Sequence, residues 1–398
     1  MLLLLYQSNQ IKMRKFIVSV LLMFPVPILA VTATLVSAGT VEVDGIYYLI
    51  DPEKGTACVT DNKNIVLHDS VIIPCEIYYD DISYRVTCIG NNAFEGEEEI
   101  TSVILPESIT EIGDYAFKSC LSMISINIPE KVTRIGEGAF MYCESLESII
   151  IPEGVTTIEK DTFSWCYVLN KVTIPEGVTV IGERAFIGCR LTSVIIPESV
   201  CLIKMAAFKN CICLNSVNIP ENVSKIYPST FMDCHCLTSI KIPESVVTIS
   251  SGAFSDCIAL SSVTMSEGVK CIYDAAFQGC RSLTSITIPK SVETIGIGAF
   301  RECSSLKRIV IPKNVQNIGE VAFGECCNLK EVVIKANLSS IPDGLFEKCS
   351  ALKSIRIPDG VERIGIHAFF CCVSLSSIRI PDSVKTIEEE AFLGCCKL

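Results

Sequence analysis

The chain has very little tryptophan and histidine, with one Trp and three His in 398 residues. These counts leave little material for an aromatic cage or a histidine metal site. Charged residues make up only 20% and apolar residues 49%, a balance that excludes an intrinsically disordered chain. The formal net charge of −12 makes nucleic acid an unsuitable partner, because phosphate binding needs a basic surface.

Common catalytic signatures are also missing. No HExxH, GxSxG, Walker or GxGxxG pattern occurs in the sequence. The three histidines, His68, His235 and His367, lie far apart along the chain, so we do not expect them to share a site. We therefore predict a protein that is not an enzyme and that holds no cofactor.

The sequence has one long apolar run, which lies near the N-terminus. Basic residues precede the apolar residues 16–29, and the small residues 36–38 follow them. This order is typical of a secretory signal peptide over residues 1–38, with Met13 as an alternative start. A membrane anchor is the other interpretation, although two prolines interrupt the run. We expect an exported protein, either secreted or held outside the cell, with no membrane span in the mature chain.

What the chain does contain is a repeat built on phenylalanine. Fourteen Phe are separated by twelve intervals of 23 residues and one of 22, and they are Phe94, Phe117, Phe140, Phe163, Phe186, Phe208, Phe231, Phe254, Phe277, Phe300, Phe323, Phe346, Phe369 and Phe392. Ile stands five residues before every one of them, Cys three residues after thirteen, and Pro eleven residues before eleven. This period predicts a solenoid, because one such unit cannot bury its apolar side chains without its neighbours.

Each column of the repeat has a physical interpretation. In residues 146–152 the alternating apolar residues predict a short strand, which Pro152 ends because it has no N–H to donate. Val155 and Ile158 follow at a spacing that predicts a turn, and Phe163 packs the return segment. We expect one elongated, right-handed stack with parallel strands just before each Pro. The Cys of the column should be buried, reduced and unbridged.

These columns resemble the 23-residue leucine-rich repeat of the BspA-like, Treponema-type surface proteins of Bacteroides-like bacteria. The pattern L-x-x-I-x-I-P-x-x-V-x-x-I-x-x-x-A-F-x-x-C runs from about Ile89 to Leu398. The resemblance implies a leucine-rich repeat solenoid at residues 89–398, about 13–14 repeats long, with its parallel sheet on the concave face. A β-rich N-terminal cap is expected at residues 39–88, with hairpin turns at Asp44-Gly45 and within residues 78–84. No polar cap follows the last repeat, so we expect the natural chain either to continue beyond Leu398 or to self-associate there.

The 23 cysteines are the residues for which a metal site or a disulfide has to be considered. Cys211-x-Cys213 and Cys234-His235-Cys236 occupy matching positions in neighbouring repeats, and such ligands can hold zinc. Buried, inert thiols are the preferred interpretation, since Cys211 and Cys234 belong to the regular column. Cys213 and Cys236 lie one coil apart, so a disulfide between them stays open. We predict no metal site.

One acidic column follows the Pro column. Its members are Glu107, Glu130, Glu153, Glu176, Glu198, Glu221, Glu244 and Glu267. Stacked like charges repel one another. We interpret the column as a solvated face, with calcium or a basic partner as the alternatives.

Function is expected at the positions where the repeats differ. Residues eight and ten after each Phe flank the inward strand residues and should point out of the core. Their chemistry changes along the chain from apolar and amide to cationic, which in an acidic protein favours an anionic partner. The candidate partner-binding residues on or beside these columns are Ile150, Thr173, Ile195, Lys241, Lys307, Arg308, Lys330, Lys353, Arg356 and Arg379.

Two functional classes fit an extended, shallow surface of this kind. The first is a recognition or adhesion module that binds a protein or an anionic glycan on a host or bacterial surface. The resembled family is associated with adhesion, which favours this class by analogy. The second is a structural envelope protein that self-associates. An enzyme is disfavoured, because an open sheet face offers no enclosed pocket.

Overall fold

The computed structural model describes residues 39–61 and 67–398, so the predicted signal peptide lies outside the described residues. The regular elements in the described residues are all β-strands. No helix long and apolar enough to cross a membrane occurs among these residues. The strands form an N-terminal cap and two rows of parallel strands that follow the repeats. Each row is divided into shorter hydrogen-bonded pieces, and we call the rows the first and second sheets.

The N-terminal cap is built on two hairpins. Its strands are β1 (Thr40–Val43), β2 (Ile46–Asp51), β3 (Thr56–Val59), β4 (Asp69–Ile72), β5 (Glu76–Tyr79) and β6 (Ile82–Ile89). Both predicted hairpins are confirmed, since β1 pairs antiparallel with β2 across Asp44-Gly45 and β5 pairs antiparallel with β6 across Asp80-Asp81. All four turn residues have positive φ, as a tight two-residue hairpin turn of this kind requires.

The strands predicted before each Pro form the first sheet. They are β7 (Ile100–Ile104), β9 (Ser125–Asn127), β11 (Ser148–Ile150), β13 (Lys171–Thr173), β15 (Ser193–Val194), β17 (Ser216–Val217), β19 (Ser239–Ile242), β21 (Ser262–Met265), β24 (Arg308–Ile311), β26 (Glu331–Ile334), β28 (Ser354–Arg356) and β30 (Ser377–Arg379). Paired strands are parallel and shifted by one repeat, as for Ile149 beside Val172. The strand alternation buries Ile149 and exposes Ile150.

A second parallel sheet lies in the segment for which the sequence predicted only a turn. Its strands have two residues each, ending at the Ile five before Phe, and are β8 (Glu111–Ile112), β10 (Arg134–Ile135), β12 (Thr157–Ile158), β14 (Val180–Ile181), β16 (Leu202–Ile203), β18 (Lys225–Ile226), β20 (Thr248–Ile249), β22 (Cys271–Ile272), β23 (Thr294–Ile295), β25 (Asn317–Ile318), β27 (Ser340–Ile341), β29 (Arg363–Ile364) and β31 (Thr386–Ile387). Two residues are too few to show the alternation that marks a strand. The pairing exists only because the coils are stacked.

One coil of the first sheet lacks its strand. Residues 285–288 precede Pro289 and follow the strand pattern, yet the structure assigns them no strand. Their backbone N–H and C=O groups make no hydrogen bond to β21 or β24 within the described residues. The prediction of a strand before each Pro is therefore wrong at this coil. Ile286 and Ile288 remain buried, so side-chain packing holds the segment where the ladder is open.

The cap continues both sheets of the repeats. β4 pairs in parallel with β7, and β6 pairs in parallel with both β3 and β8. The first sheet thus begins at Asp69, upstream of residue 88, and hairpin β5–β6 projects from the first coil. Backbone hydrogen bonds therefore join the cap directly to the first repeat.

The phenylalanine rings form a continuous stack through the core. Neighbouring ring centroids lie between 5.1 and 5.9 Å apart. The rings from Phe94 to Phe369 are fully buried. Ala before Phe is replaced by Leu345 in one coil and by Thr162 and Thr230 in two others, whose hydroxyls donate to backbone carbonyl oxygens at 2.9 and 2.8 Å. The core is therefore a set of stacked columns, as the sequence predicts.

Each coil turns at two residues in the left-handed conformation. Around Phe117 these are Tyr115 and Ser119, with φ of 56° and 60°, and the same two positions have positive φ in every repeat. Val321 occupies one of them with φ of 49°. A β-branched side chain is poorly suited to this conformation.

The single 22-residue interval between Phe residues does not disturb the core columns. Phe186 and Phe208 are 22 residues apart, yet their rings stack at 5.3 Å like the others. The missing residue falls between Cys189 and Leu191, which are both fully buried. The corner after the Cys column absorbs the difference in length.

Candidate partner-binding face

The exposed side of the first sheet carries the predicted binding residues. Ile150, Thr173 and Ile195 project from three successive coils, and the exposed fractions of the two Ile are 67% and 83%. Exposure this large for an isoleucine leaves apolar surface in contact with water. The structure places these three residues on neighbouring coils, with Ile150 beside Thr173.

The predicted cations form a second group on the same sheet. Lys307, Lys330 and Lys353 occupy one register in three successive coils, and the backbone N–H of Lys330 donates to the Lys307 carbonyl oxygen at 2.9 Å. Arg356 lies beside Arg379 in the pairing of β28 with β30. All of these side chains are exposed. We call Lys307, Arg308, Lys330, Lys353, Arg356 and Arg379 the cationic patch.

The two groups are separate. Ile195 and Val310 are five coil spacings apart, which at one strand spacing per coil is roughly 24 Å. Lys241 stands between the groups on β19, and its ammonium pairs with Glu221 at 3.1 Å. The structure therefore places the ten candidate residues on one face but not in one site.

Only part of the cationic patch is neutralised within the chain. Arg308 pairs with Glu331 at 2.9 Å and Arg356 with Asp359 at 3.3 Å. Within the described residues no ion pair involves Lys307, Lys330, Lys353 or Arg379. Because exposed pairs are weak and screened, even the paired arginines remain available to a partner.

The Asn residues in the column ten residues after Phe have a structural role that the sequence did not indicate. Asn127 accepts from the Leu105 N–H at 2.8 Å and donates to the Leu105 carbonyl at 3.0 Å. Asn218 does the same for Ile196, with both bonds at 2.7 Å. Each amide thus bridges two coils at the end of their paired strands. These Asn hold the face together.

The acidic column changes sign partway along the sheet. Glu244 and Glu267 end it, and Lys290 and Lys313 occupy the same register in the next two coils. In the described residues no group of three or more His, Cys, Asp or Glu is arranged to hold a metal ion. Carboxylates of this column instead accept backbone N–H groups of the next coil, as Glu198 does from Glu221 at 3.0 Å.

The thiols of the Cys column are part of the core. Twelve of them, from Cys120 to Cys372, are buried and free, which confirms the prediction of burial. Each donates to the carbonyl oxygen of Phe in the preceding coil at 3.1 to 3.3 Å. Burial raises the pKa of Cys166 and Cys303 to about 12, which keeps them neutral and unreactive. Cys213 and Cys236 are free thiols as well.

A disulfide lies in the cap, where the sequence analysis did not predict one. Cys58 on β3 and Cys88 on β6 are bonded, with their Cα atoms 4.7 Å apart. Neither belongs to a repeat column, so spacing alone offered no signal for their pairing. The bond fixes the parallel contact between the two cap strands.

Comparison with known proteins identifies the family. The family model of the BspA type leucine rich repeat region, which spans six copies of the repeat, matches residues 73–190, 156–284 and 270–398. This chain belongs to the BspA-type leucine-rich repeat family. Repeat solenoids of this family are generally non-enzymatic modules for protein interaction, and its bacterial members are surface proteins. No curated protein gives a significant match to the sequence.

Solved structures of several bacterial proteins are similar to this one. A leucine-rich repeat protein from Bacteroides ovatus ATCC 8483 is 29% identical, with a TM-score of 0.72, over 90% of this chain and 93% of that one. A leucine rich cell surface protein from Faecalibacterium prausnitzii A2-165 is 30% identical over 75% of this chain and 95% of its own, with a TM-score of 0.49. The pneumococcal vaccine antigen PcpA, 23% identical, covers 82% of this chain and 93% of its own with a TM-score of 0.58, and shares the fold.

Proposed function

We propose that this BspA-type protein is an exported recognition protein, which binds a macromolecular partner on a host or bacterial surface along the exposed face of the first sheet. The proposal is supported by the family and by the position of the variable columns on an open, regular face. An extended surface of this kind suits a large partner better than a small substrate.

The cationic patch is the observation that carries the proposal. Six cations lie within four neighbouring coils of a protein whose net charge is −12. Four of them have no ion pair within the described residues, so their field reaches into solvent. Such a patch attracts an anionic partner, and the attraction weakens as salt is added. Ile150, Thr173 and Ile195 would act as secondary contacts for a partner long enough to reach them.

Replacing the patch arginines tests this proposal. The triple variant Arg308→Ser, Arg356→Ser and Arg379→Ser is compared with the wild-type protein for capture of host extracellular proteins and bacterial surface extracts. A control variant removes three exposed cations on the side of the second sheet, through Lys204→Ser, Lys225→Ser and Lys270→Ser. Both variants should fold normally, because exposed substitutions usually cost less than about 0.5 kcal/mol each.

We expect the patch variant to lose a partner that the wild-type and control proteins both capture, and we expect wild-type affinity to fall with salt. Unchanged capture by the patch variant together with salt-independent affinity would contradict the proposal. Loss of self-association instead of partner capture would favour a structural role for the same face.

A further inference from the structure

A cavity of about 500 Å³ opens on the first-sheet side at the coil that lacks its strand. Its cationic lining is Lys290, Lys313, Lys335 and Arg308, and Glu267 is its one acidic residue. We call this feature the lysine cavity. Its volume falls within the range of pockets that hold small organic ligands or one segment of a longer one.

The three lysines come from three successive coils. Lys290 and Lys313 continue the register that the acidic column occupies up to Glu267, and Lys335 stands where most coils have Pro. At one strand spacing per coil, the three positions span roughly 10 Å. The sequence pattern, which breaks both the Glu and the Pro columns here, is the signal that could have found this site.

The positive charge of the lysine cavity is not neutralised inside the protein. Among the described residues, Lys290, Lys313 and Lys335 have no ion pair. The carboxylate of Glu267 accepts the backbone N–H of Ser291 at 3.2 Å, and Arg308 is the cation that has a partner, Glu331. Three unpaired ammonium groups around one concavity attract an anion.

The rest of the lining suits a ligand that also carries hydroxyl groups. Ser285 and Thr287 present hydroxyls, while Val310 and Pro312 provide an apolar surface. The backbone groups of residues 285–288, which have no partner in the flanking strands, lie along the same coil. Polar groups of both kinds, donor and acceptor, therefore surround the cations.

We propose that the lysine cavity binds an acidic sugar of an anionic polysaccharide, through its carboxylate or sulfate group. This inference rests on the proposed function, because it names the chemistry of a partner for the same face. A narrow polysaccharide can follow the lysines from coil to coil and pass on to the cationic patch. A globular acidic protein would also have to cover carboxylates beyond the cavity, such as Glu244, where like charges disfavour contact.

Binding of defined polyanions tests the inference. The probes are a heparin-type sulfated dodecasaccharide, a polygalacturonate oligomer, a neutral dextran oligomer and poly-L-glutamate, each titrated calorimetrically into the full chain. The variants are Lys290→Ser/Lys313→Ser/Lys335→Ser, the charge-retaining Lys290→Arg/Lys313→Arg/Lys335→Arg, and the second-sheet control Lys204→Ser/Lys225→Ser/Lys270→Ser.

We expect the wild-type protein to bind at least one anionic oligosaccharide and not dextran. The Ser variant should bind it roughly tenfold more weakly, while the Arg and control variants bind like wild type. Which oligosaccharide binds distinguishes sulfate from carboxylate as the recognised group. The variant Arg308→Ser/Arg356→Ser/Arg379→Ser separates the two proposals. If it loses partner capture while Lys290→Ser/Lys313→Ser/Lys335→Ser binds the sugar like wild type, only the assignment of the cavity is overturned.

Tighter binding of poly-L-glutamate than of either anionic sugar would overturn the assignment in favour of an acidic protein. Equal losses in the Ser and control variants would show that only net charge matters, and would overturn the site. Unfolding temperatures of all variants establish that each loss is measured on folded protein.

Discussion

The thiol of Cys257 donates a hydrogen bond at 3.1 Å to the carbonyl oxygen of Phe231, which belongs to the preceding coil. The same bond joins each successive pair of coils, so the Cys column does more than fill space. It adds a second donor to a carbonyl oxygen that already accepts the backbone N–H of Cys234 at 3.3 Å. A buried column of free thiols in an otherwise apolar core thereby has a structural explanation.

Removing one such thiol should cost stability. Cys257→Ala removes the second hydrogen bond to the buried Phe231 carbonyl oxygen, which keeps the Cys234 N–H, and we expect the free energy of unfolding to fall by about 1 kcal/mol. Cys396→Ala, at an exposed position in the last coil, is the control and should change it little. The midpoints of chemical unfolding measure both. Equal midpoints for the two variants would show that the thiol bond contributes nothing.

Alkaline pH should weaken the fold through the same thiols. Burial raises the pKa of Cys166 from 9.0 to about 12 in the folded protein, so the unfolded chain deprotonates first as pH rises. The stability that the neutral thiol contributes is complete below pH 9 and is lost progressively toward pH 12. Unfolding midpoints between pH 7 and 10.5 should therefore fall less steeply for Cys166→Ala than for wild type. Parallel curves would contradict the shift.

Native alkylation should distinguish the two classes of thiol. The exposed Cys75, Cys201, Cys236, Cys327 and Cys396 should react with iodoacetamide at pH 8 in the folded protein. The buried column should react only after unfolding, because its thiolate is scarcely populated. Peptide mass spectrometry reads the labelled positions. Rapid native labelling of Cys257 or Cys280 would show that the column is accessible.

The ring stack should be the most sensitive part of the core. Phe231 lies 5.6 Å from Phe208 and 5.4 Å from Phe254, ring centroid to ring centroid. Phe231→Ala should lower the free energy of unfolding by roughly 3–5 kcal/mol, because the cavity cannot close inside a rigid column. Phe370→Ala, outside the column and partly exposed, should cost much less. Similar losses for both would contradict the stacked core.

Backbone strain at one turn offers a stabilising change. Val321 has φ of 49° at the position where the first repeat has Asn92, with φ of 55°. Asn tolerates the left-handed conformation better than a β-branched residue, so Val321→Asn should raise the free energy of unfolding by up to about 1 kcal/mol. The reverse change, Asn92→Val, should lower it by a similar amount. Thermal unfolding of the two variants should shift in opposite directions.

The sequence predicted the columns because each one recurs in at least eleven of the fourteen repeats with a clear chemical reason. It could not predict the second sheet, whose two-residue strands have no pattern of their own. The Cys58–Cys88 disulfide also escaped prediction, since both residues lie in the non-repetitive cap. The open coil at residues 285–288 has the same pattern as its neighbours, so only the stacked structure reveals it.

The candidate site was predictable in part for the same reason. Strand alternation correctly exposes Ile150, Ile195 and the cationic patch, because a period of two decides which side chains face outward. It did not separate the bridging Asn127 and Asn218 from residues that are free to contact a partner. That distinction depends on the hydrogen bonds made at the ends of the paired strands. The lysine cavity depends on the coil that lacks its strand.

The coil between Phe186 and Phe208 shows where a repeat of this family can change in length. One residue fewer leaves the ring stacking intact and keeps the Cys211 thiol within 3.1 Å of the Phe186 carbonyl oxygen. The corner after each Cys therefore lies outside the parts of the coil whose spacing the core dictates. A peptide tag placed between Cys189 and Leu191 would extend a loop without shifting the register of either sheet. The solenoid thus provides a ready insertion point for labels that report on its partners.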